Sequence, residues 1–213
     1  MKEFIYTNRL HYSKDELLED RISPNPFEQF HWWFEEAVES KSGEPYACTF
    51  ATSDTKGNVK ARVVLMRGYD KNGFLFFTNY KSLKGQQLAE NNKAAMHFFW
   101  PVLERQVSVE GTVIKASKEE SDAYFNSRPR EHQIGAWTSN QSEIIQSRQQ
   151  LEDRYAELVK QFEGKPVPRP EHWGGFLLVP TCFEFWQGRV SRLHDRICYK
   201  LDNGHWTIAR LSP

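Results

Sequence analysis

Apolar residues along the chain follow two spacings. Short runs rich in Val, Phe, Thr and other aromatics fall at 46–53, 59–69, 73–79, 94–100 and 105–116. Runs of this kind predict strands, because β-branched and aromatic side chains suit a pleated, half-buried surface. In 105–116 the alternation is explicit: Val107 and Val109 face one way, and Gln106, Ser108 and Glu110 the other. Asp54-Thr55-Lys56-Gly57-Asn58 and Asp70-Lys71-Asn72-Gly73 read as hairpin turns between runs. Three more strands are predicted at 174–187, 190–199 and 205–211.

Helical spacing separates these runs. Asn25-Pro26-Phe27-Glu28 is a helix start, with Asn as N-cap and Pro in the first turn, and Phe27, Phe30, Phe34 and Ala37 or Val38 form its apolar stripe. Ser82 opens a short helix, and Ser117-Lys118-Glu119-Glu120 is a capping box for a helix to about residue 127. A longer helix is predicted over 142–162, from Ile144, Arg148, Leu151, Tyr155, Leu158 and Phe162 at alternating four- and three-residue steps. A short helix at 13–21 is expected in the polar arm 1–24, and 166–170 is a Pro-rich connector. Strands joined by tight turns predict an antiparallel sheet curled into a barrel, mainly β with flanking helices, an α+β chain. Strands on both sides of the helices share that sheet, so one domain over 1–213 is expected.

Composition narrows the function. Lys plus Arg equals Asp plus Glu at 28 each, which argues against nucleic-acid binding driven by bulk charge but allows a local basic pocket. Aromatics make up 14% of the chain, enough for stacking surfaces against a flat ligand. Cys48, Cys182 and Cys198 are odd in number, lack metal-like spacing and lie in apolar runs, so they read as small buried hydrophobes. No apolar run reaches transmembrane length and the N-terminus lacks a long apolar stretch. A reduced, cytoplasmic setting is expected, in which Asn140-Gln141-Ser142 is not a glycosylation site.

The candidate chemistry is basic. If 190–199 is a strand, Arg192, His194 and Arg196 share one face and Leu193, Asp195 and Ile197 the other. Two fixed cations and an imidazole on one face suit an anionic, phosphate-bearing ligand, although charged strand faces also occur as plain solvated surface. Arg62-Val63-Val64-Leu65-Met66-Arg67 carries a guanidinium at each end. Thr78-Asn79-Tyr80-Lys81-Ser82-Leu83-Lys84-Gly85 enters a helix with hydroxyls, backbone N–H groups and a lysine, a pattern open to phosphate.

Taken together, Arg105-Gln106-Val107 with Val109-Glu110-Gly111, Ser127-Arg128-Pro129-Arg130 with Gln133-Ile134-Gly135-Ala136-Trp137, and Gly188-Arg189 with Arg192-Leu193-His194-Asp195-Arg196 resemble the pyridoxamine 5′-phosphate oxidase family, in order and from about Arg9 to Pro213. The resemblance implies an FMN-binding split barrel that works as a homodimer with its sites at the subunit interface. It implies oxidation of pyridoxamine or pyridoxine 5′-phosphate to pyridoxal 5′-phosphate, by hydride transfer from C4′ to flavin N5, with oxygen leaving as hydrogen peroxide. The implied FMN contacts are Arg62, Val63, Val64, Leu65, Met66, Arg67, Phe77, Thr78, Ser82, Lys84, Gln106, Gln141, Ser142, Trp186 and Arg196. The implied substrate contacts are Arg9, Tyr12, Arg67, Tyr124, Arg128, His132, Arg192 and His194, the last two nearest the chemistry. Arg62, Lys84 and the Ser82 helix start would hold the FMN phosphate, and Tyr124 and Arg128 the substrate phosphate. No metal is implied.

Three positions depart from the family pattern. Arg67 stands where lysine is usual, Leu83 replaces a usual arginine, and His132 takes the place of a serine. The second and third keep open a non-catalytic flavin or pyridoxal phosphate carrier on the same fold. A split-barrel reductase with another electron donor is disfavoured by the 192–196 cluster, and a nucleic-acid module by the neutral charge.

Overall fold

In a computed structural model of the protein, residue 7, residues 11–41 and residues 43–213 are described. The first helix, α1 (Pro26–Glu39), starts as its sequence dictates: the Asn25 side chain accepts the Phe27 N–H at 3.0 Å, and Pro26 fills the first turn. Of the expected stripe, Phe30 and Ala37 are buried and Phe27 and Phe34 partly so, while Val38 is exposed; Pro26, Gln29 and Trp33 join the buried face. Trp33 widens that face, because its ring meets Phe185 edge-on at 5.3 Å.

Among the described residues nine strands follow: β1 (Ala47–Ser53), β2 (Val59–Leu65), β3 (Gly68–Asp70), β4 (Gly73–Asn79), β5 (Lys93–Trp100), β6 (Arg105–Lys115), β7 (Trp173–Gln187), β8 (Asp195–Asp202) and β9 (His205–Arg210). They pair in the order β2-β1-β5-β6-β7-β4-β3, with β8 on β7 and β9 on β8. The pairs β3/β4, β4/β7, β7/β8 and β8/β9 are antiparallel. β6 alternates as expected, with Val107 and Val109 buried and Gln106, Ser108 and Glu110 turned outward.

Helices α2 (Leu83–Glu90), α3 (Lys118–Ser127), α4 (Arg130–Thr138) and α5 (Arg148–Gln161) lie between strands. Ser82 and Ser117 cap α2 and α3 by accepting the Gly85 and Glu120 N–H groups. Four expectations are corrected. The helix expected over 142–162 begins only at Arg148, because Ser142 has φ +78° and Ser147 provides the cap instead, accepting the Gln150 N–H. The run 59–69 breaks into β2 and β3 around Met66 and Arg67. Within 13–21 only Glu19–Arg21 is helical, as one 3₁₀ turn. The strand expected at 190–199 begins at Asp195, since Val190–Arg192 is a 3₁₀ turn with Ser191 and Arg192 at φ +57° and +61°. The period-two argument for a shared face of Arg192, His194 and Arg196 therefore fails.

The chain divides into two compact units, Met1–Phe50 with Ala95–Gly111 and Pro180–Pro213, and Ala51–Ala94 with Thr112–Val179. In the first unit Phe30, Phe98, Trp100, Phe183, Phe185 and Tyr199 are all but fully buried. The buried Trp100 and Tyr199 each keep a partner, donating to the Pro45 and Ser23 carbonyls at 3.0 and 2.8 Å. In the second unit Phe125, Ile134, Leu158, Phe162, Val167 and Trp173 form a core, with Phe77, Tyr124 and Trp137 packed against it. Among the described residues no helix is long and apolar enough to cross a membrane.

Candidate active site

The second unit holds a cleft of about 890 Å³. β2 contributes Arg62, Val63, Val64 and Leu65, and Arg67 follows it; β4 contributes Phe77 and Thr78. Lys84 from α2, Tyr124 from α3, Arg128, His132 from α4, Gln141 and Ser142 complete the set. Thirteen residues expected at a ligand site from the sequence thus share one cavity. Two neighbours in that set behave differently: Met66 is 4% exposed and does not line the cleft, and Ser82 is buried as the α2 cap.

The cleft is electropositive. Arg62, Arg67, Lys84 and Arg128 line it, and none of its described lining residues is Asp or Glu. Lys84 is only 8% exposed; its Nζ donates to Thr78 Oγ1, Gln141 Oε1 and Ser82 Oγ at 3.1, 3.2 and 3.3 Å. Burial, and next the Arg62 charge, push its pKa down to about 8. Arg62 donates to Thr52 Oγ1 at 2.6 Å, and Thr52 in turn donates to Gln87 at 2.7 Å. Burial also lowers the Arg62 pKa. The Arg128 guanidinium lies 4.5 Å from the Trp173 ring centre, and its Nη1 is buried with no hydrogen-bond partner among the described residues. Burial is the main cause of its lowered pKa, and the Arg67 charge adds to it. A buried guanidinium nitrogen left without an acceptor is costly unless an anion supplies one. Beside it Tyr124 stacks on Phe77 at 3.9 Å, and Phe77 on Trp173 at 5.6 Å. Leu83 lines the cleft and is 41% exposed, with its N–H held by Ser142 Oγ at 3.2 Å.

The first unit holds a second group of expected residues. Tyr12 meets Trp186 edge-on at 5.8 Å and His194 at 5.9 Å, and Trp186 and His194 are 4.6 Å apart. His194 Nδ1 accepts the Arg189 N–H at 3.0 Å, which leaves the proton of the neutral ring on Nε2. Burial first, then the Arg192 charge, lowers the His194 pKa, against the opposing Asp195. Arg196 grips Glu184 with two hydrogen bonds of 2.9 and 3.0 Å, and its third bond reaches the Ser212 carbonyl. Gln106 is half-buried on β6. Arg9 lies outside the described residues.

A model described as pyridoxamine 5′-phosphate oxidase matches residues 34–162, and one described as the pyridoxine 5′-phosphate oxidase C-terminal dimerisation region matches 173–213. The chain belongs to the pyridoxamine 5′-phosphate oxidase family. It is 52% identical to the pyridoxine/pyridoxamine 5′-phosphate oxidase of Gloeothece citriformis over 214 residues, covering 100% of both chains. The structure of PhzG from Burkholderia lata 383, in complex with tetrahydrophenazine-1-carboxylic acid, is 28% identical, with a TM-score of 0.88 over 94% of this chain and 100% of that one. A pyridoxamine 5′-phosphate oxidase-related, FMN-binding protein from Nostoc punctiforme shares the fold at 17% identity, with a TM-score of 0.68 over 90% of this chain and 100% of that one.

As a member of this oxidase family the chain is an oxidoreductase and carries a C-terminal dimerisation region. Two residues escaped the sequence reading. Trp173 carries the Arg128 guanidinium on its face, yet in the sequence it is one more aromatic at the head of a strand. Arg105 stands in a quoted motif, but nothing in that motif shows that its side chain is 4% exposed and holds two carboxylates.

Proposed function

We propose that the protein oxidises pyridoxamine 5′-phosphate and pyridoxine 5′-phosphate to pyridoxal 5′-phosphate, the amine of the former leaving as ammonia when water hydrolyses the imine. The observation that carries this reading is the Arg128 Nη1, which among the described residues is buried without a partner in a basic cleft lined by no carboxylate. The cleft suits FMN and a phosphorylated substrate together: several cations answer two phosphate dianions, and stacked aromatics answer flat rings. FMN, as cofactor, supplies the two-electron acceptor, and oxygen takes the electrons on and leaves as hydrogen peroxide.

The chain's own residues bind and orient. Arg62 and Lys84 hold the FMN phosphate, and the dianion offsets the cost of the buried Lys84 charge, because opposite charge favours its ammonium form. Tyr124 and Arg128 hold the substrate phosphate, with His132 beside them. Arg192 and His194 cover the pyridine ring, and Nε2–H of His194 is the proton it offers. The chain acts as one functional domain in a cytoplasmic homodimer, with its sites at the subunit interface.

The test is the visible spectrum of the purified protein, followed by aldehyde and peroxide formation on adding either vitamer in air. A flavin spectrum with both products supports the oxidase. Bound flavin with no turnover of either vitamer refutes it in favour of a carrier, with Leu83 and His132 the residues to revert.

A further inference from the structure

The N-terminal arm is held by a buried guanidinium whose role the reaction leaves unassigned. Arg105, at the start of β6, is 4% exposed and lies 4.4 Å above the Trp33 ring centre. It donates to Gln187 Oε1 at 2.7 Å, to Glu36 Oε2 at 2.6 Å and to Asp15 Oδ2 at 2.6 Å. Glu36 belongs to α1, whereas Asp15 belongs to the arm. Both carboxylates are about half exposed, at 51% and 49%, while the guanidinium between them is not. Nearby, Glu104 Oε2 accepts the Ser13 and Lys14 N–H groups at 2.8 and 3.1 Å, and Asp195 Oδ2 accepts that of Leu17 at 3.1 Å. These bonds replace the helix expected there and set the arm's course. Tyr12, in the same arm, lies against Trp186 and His194. The fit is close: a Cβ on Gly188 would stand 2.8 Å from Tyr12 Cβ and 3.1 Å from Glu104 Cβ.

We propose that Arg105 is a positioning residue which, through Asp15, holds Tyr12 against His194 and so sets substrate affinity rather than the rate of the chemical step. The proposal rests on the oxidase reading, which assigns Tyr12 and His194 to the substrate. Asp15 and Glu36 share one guanidinium, but only Asp15 connects it to the arm. A charge-assisted bond to a buried guanidinium, lost on one side, releases the arm without exposing the core.

The experiment compares Asp15→Ala with Glu36→Ala in the FMN-loaded enzyme, which avoids removing Arg105 itself. Steady-state kinetics are read beside amide hydrogen exchange of residues 11–18. The expected result is a KM for pyridoxamine 5′-phosphate raised about tenfold in Asp15→Ala, with kcat within about twofold and flavin content unchanged. Exchange at Ser13, Lys14 and Leu17 speeds up in the same variant. Glu36→Ala, which removes an equal charge from the same guanidinium, leaves KM and arm exchange at the parent values. An unchanged KM in Asp15→Ala overturns the proposal, as does an equal rise in Glu36→Ala, which would mark a merely structural role. A parent enzyme that turns over neither vitamer removes the oxidase reading and this proposal with it; in an active parent, these kinetic outcomes bear on the latch alone.

Discussion

Replacing Lys84 by methionine separates what the fold wants from what the ligand wants. The Lys84 ammonium is 8% exposed, among neutral oxygens and near Arg62, and its pKa falls from the ordinary 10.5 to about 8. At about 1.4 kcal/mol for each pKa step, the buried charge costs the ligand-free protein about 3 kcal/mol at pH 7. Methionine removes that cost and keeps the volume. It also withdraws a donor from Thr78, Ser82 and Gln141, a loss of about 1 kcal/mol, because Ser82 keeps Gly85 and Asn79 and Thr78 keeps Gln141. The net expectation is an apoprotein about 2 kcal/mol more stable at pH 7, or about 5 °C in Tm. The sign with pH follows from proton counting. Between pH 8 and 10.5 the unfolded chain holds more protons on Lys84 than the folded one, so this group's penalty is full below pH 8 and fades as pH rises. Denaturant unfolding of the two FMN-free proteins at pH 7 and pH 10 should show their gap narrowing by about 2 kcal/mol. The variant should meanwhile bind FMN at least about tenfold more weakly. A gap that stays constant with pH, or a variant less stable at pH 7, would refute the buried-charge account.

Other expectations are simpler. Arg62→Ala should weaken FMN retention by about 1.5–3 kcal/mol, read by equilibrium dialysis of the flavin; equal tightness would contradict its phosphate role. Arg192→Ala should keep FMN but lower kcat/KM about tenfold or more. In the same variant the His194 pKa should rise toward 6.5, since one cause of its lowering is gone, and the acid limb of the pH profile should move to higher pH. Gly85→Ala should cost about 3 kcal/mol and about 10 °C in Tm, because its Cβ would sit 2.0 Å from the Tyr80 carbonyl oxygen, a backbone atom of the turn that opens α2. Normal melting of that variant would show that the turn can open at little cost.

What the sequence determined by itself was local. Asn25, Ser82 and Ser117 named their helix starts because a cap is a bond between a side chain and a backbone a few residues away. β6 was legible from alternation, since the side-chain period of a strand is a property of the strand alone, and β4 from its run of aromatic residues. Arg62, Arg67, Lys84, Arg128 and His132, expected at a ligand site because their motifs resemble a family, share one cleft. Tertiary structure decided what depends on partners distant in sequence. The loop before β8 takes its shape from left-handed Ser191 and Arg192 and from Arg189 bonding back to His194, which period two cannot express. The arm gave up a helix because Glu104 and Asp195, 90 and more residues away, satisfy its backbone. The α1 stripe widened to take in Trp33 because Phe185 and Arg105 meet it there. The lowered Lys84 pKa and the buried Arg128 nitrogen, without a partner among the described residues, arise only when the fold removes water from charges, and no motif records how much water is removed.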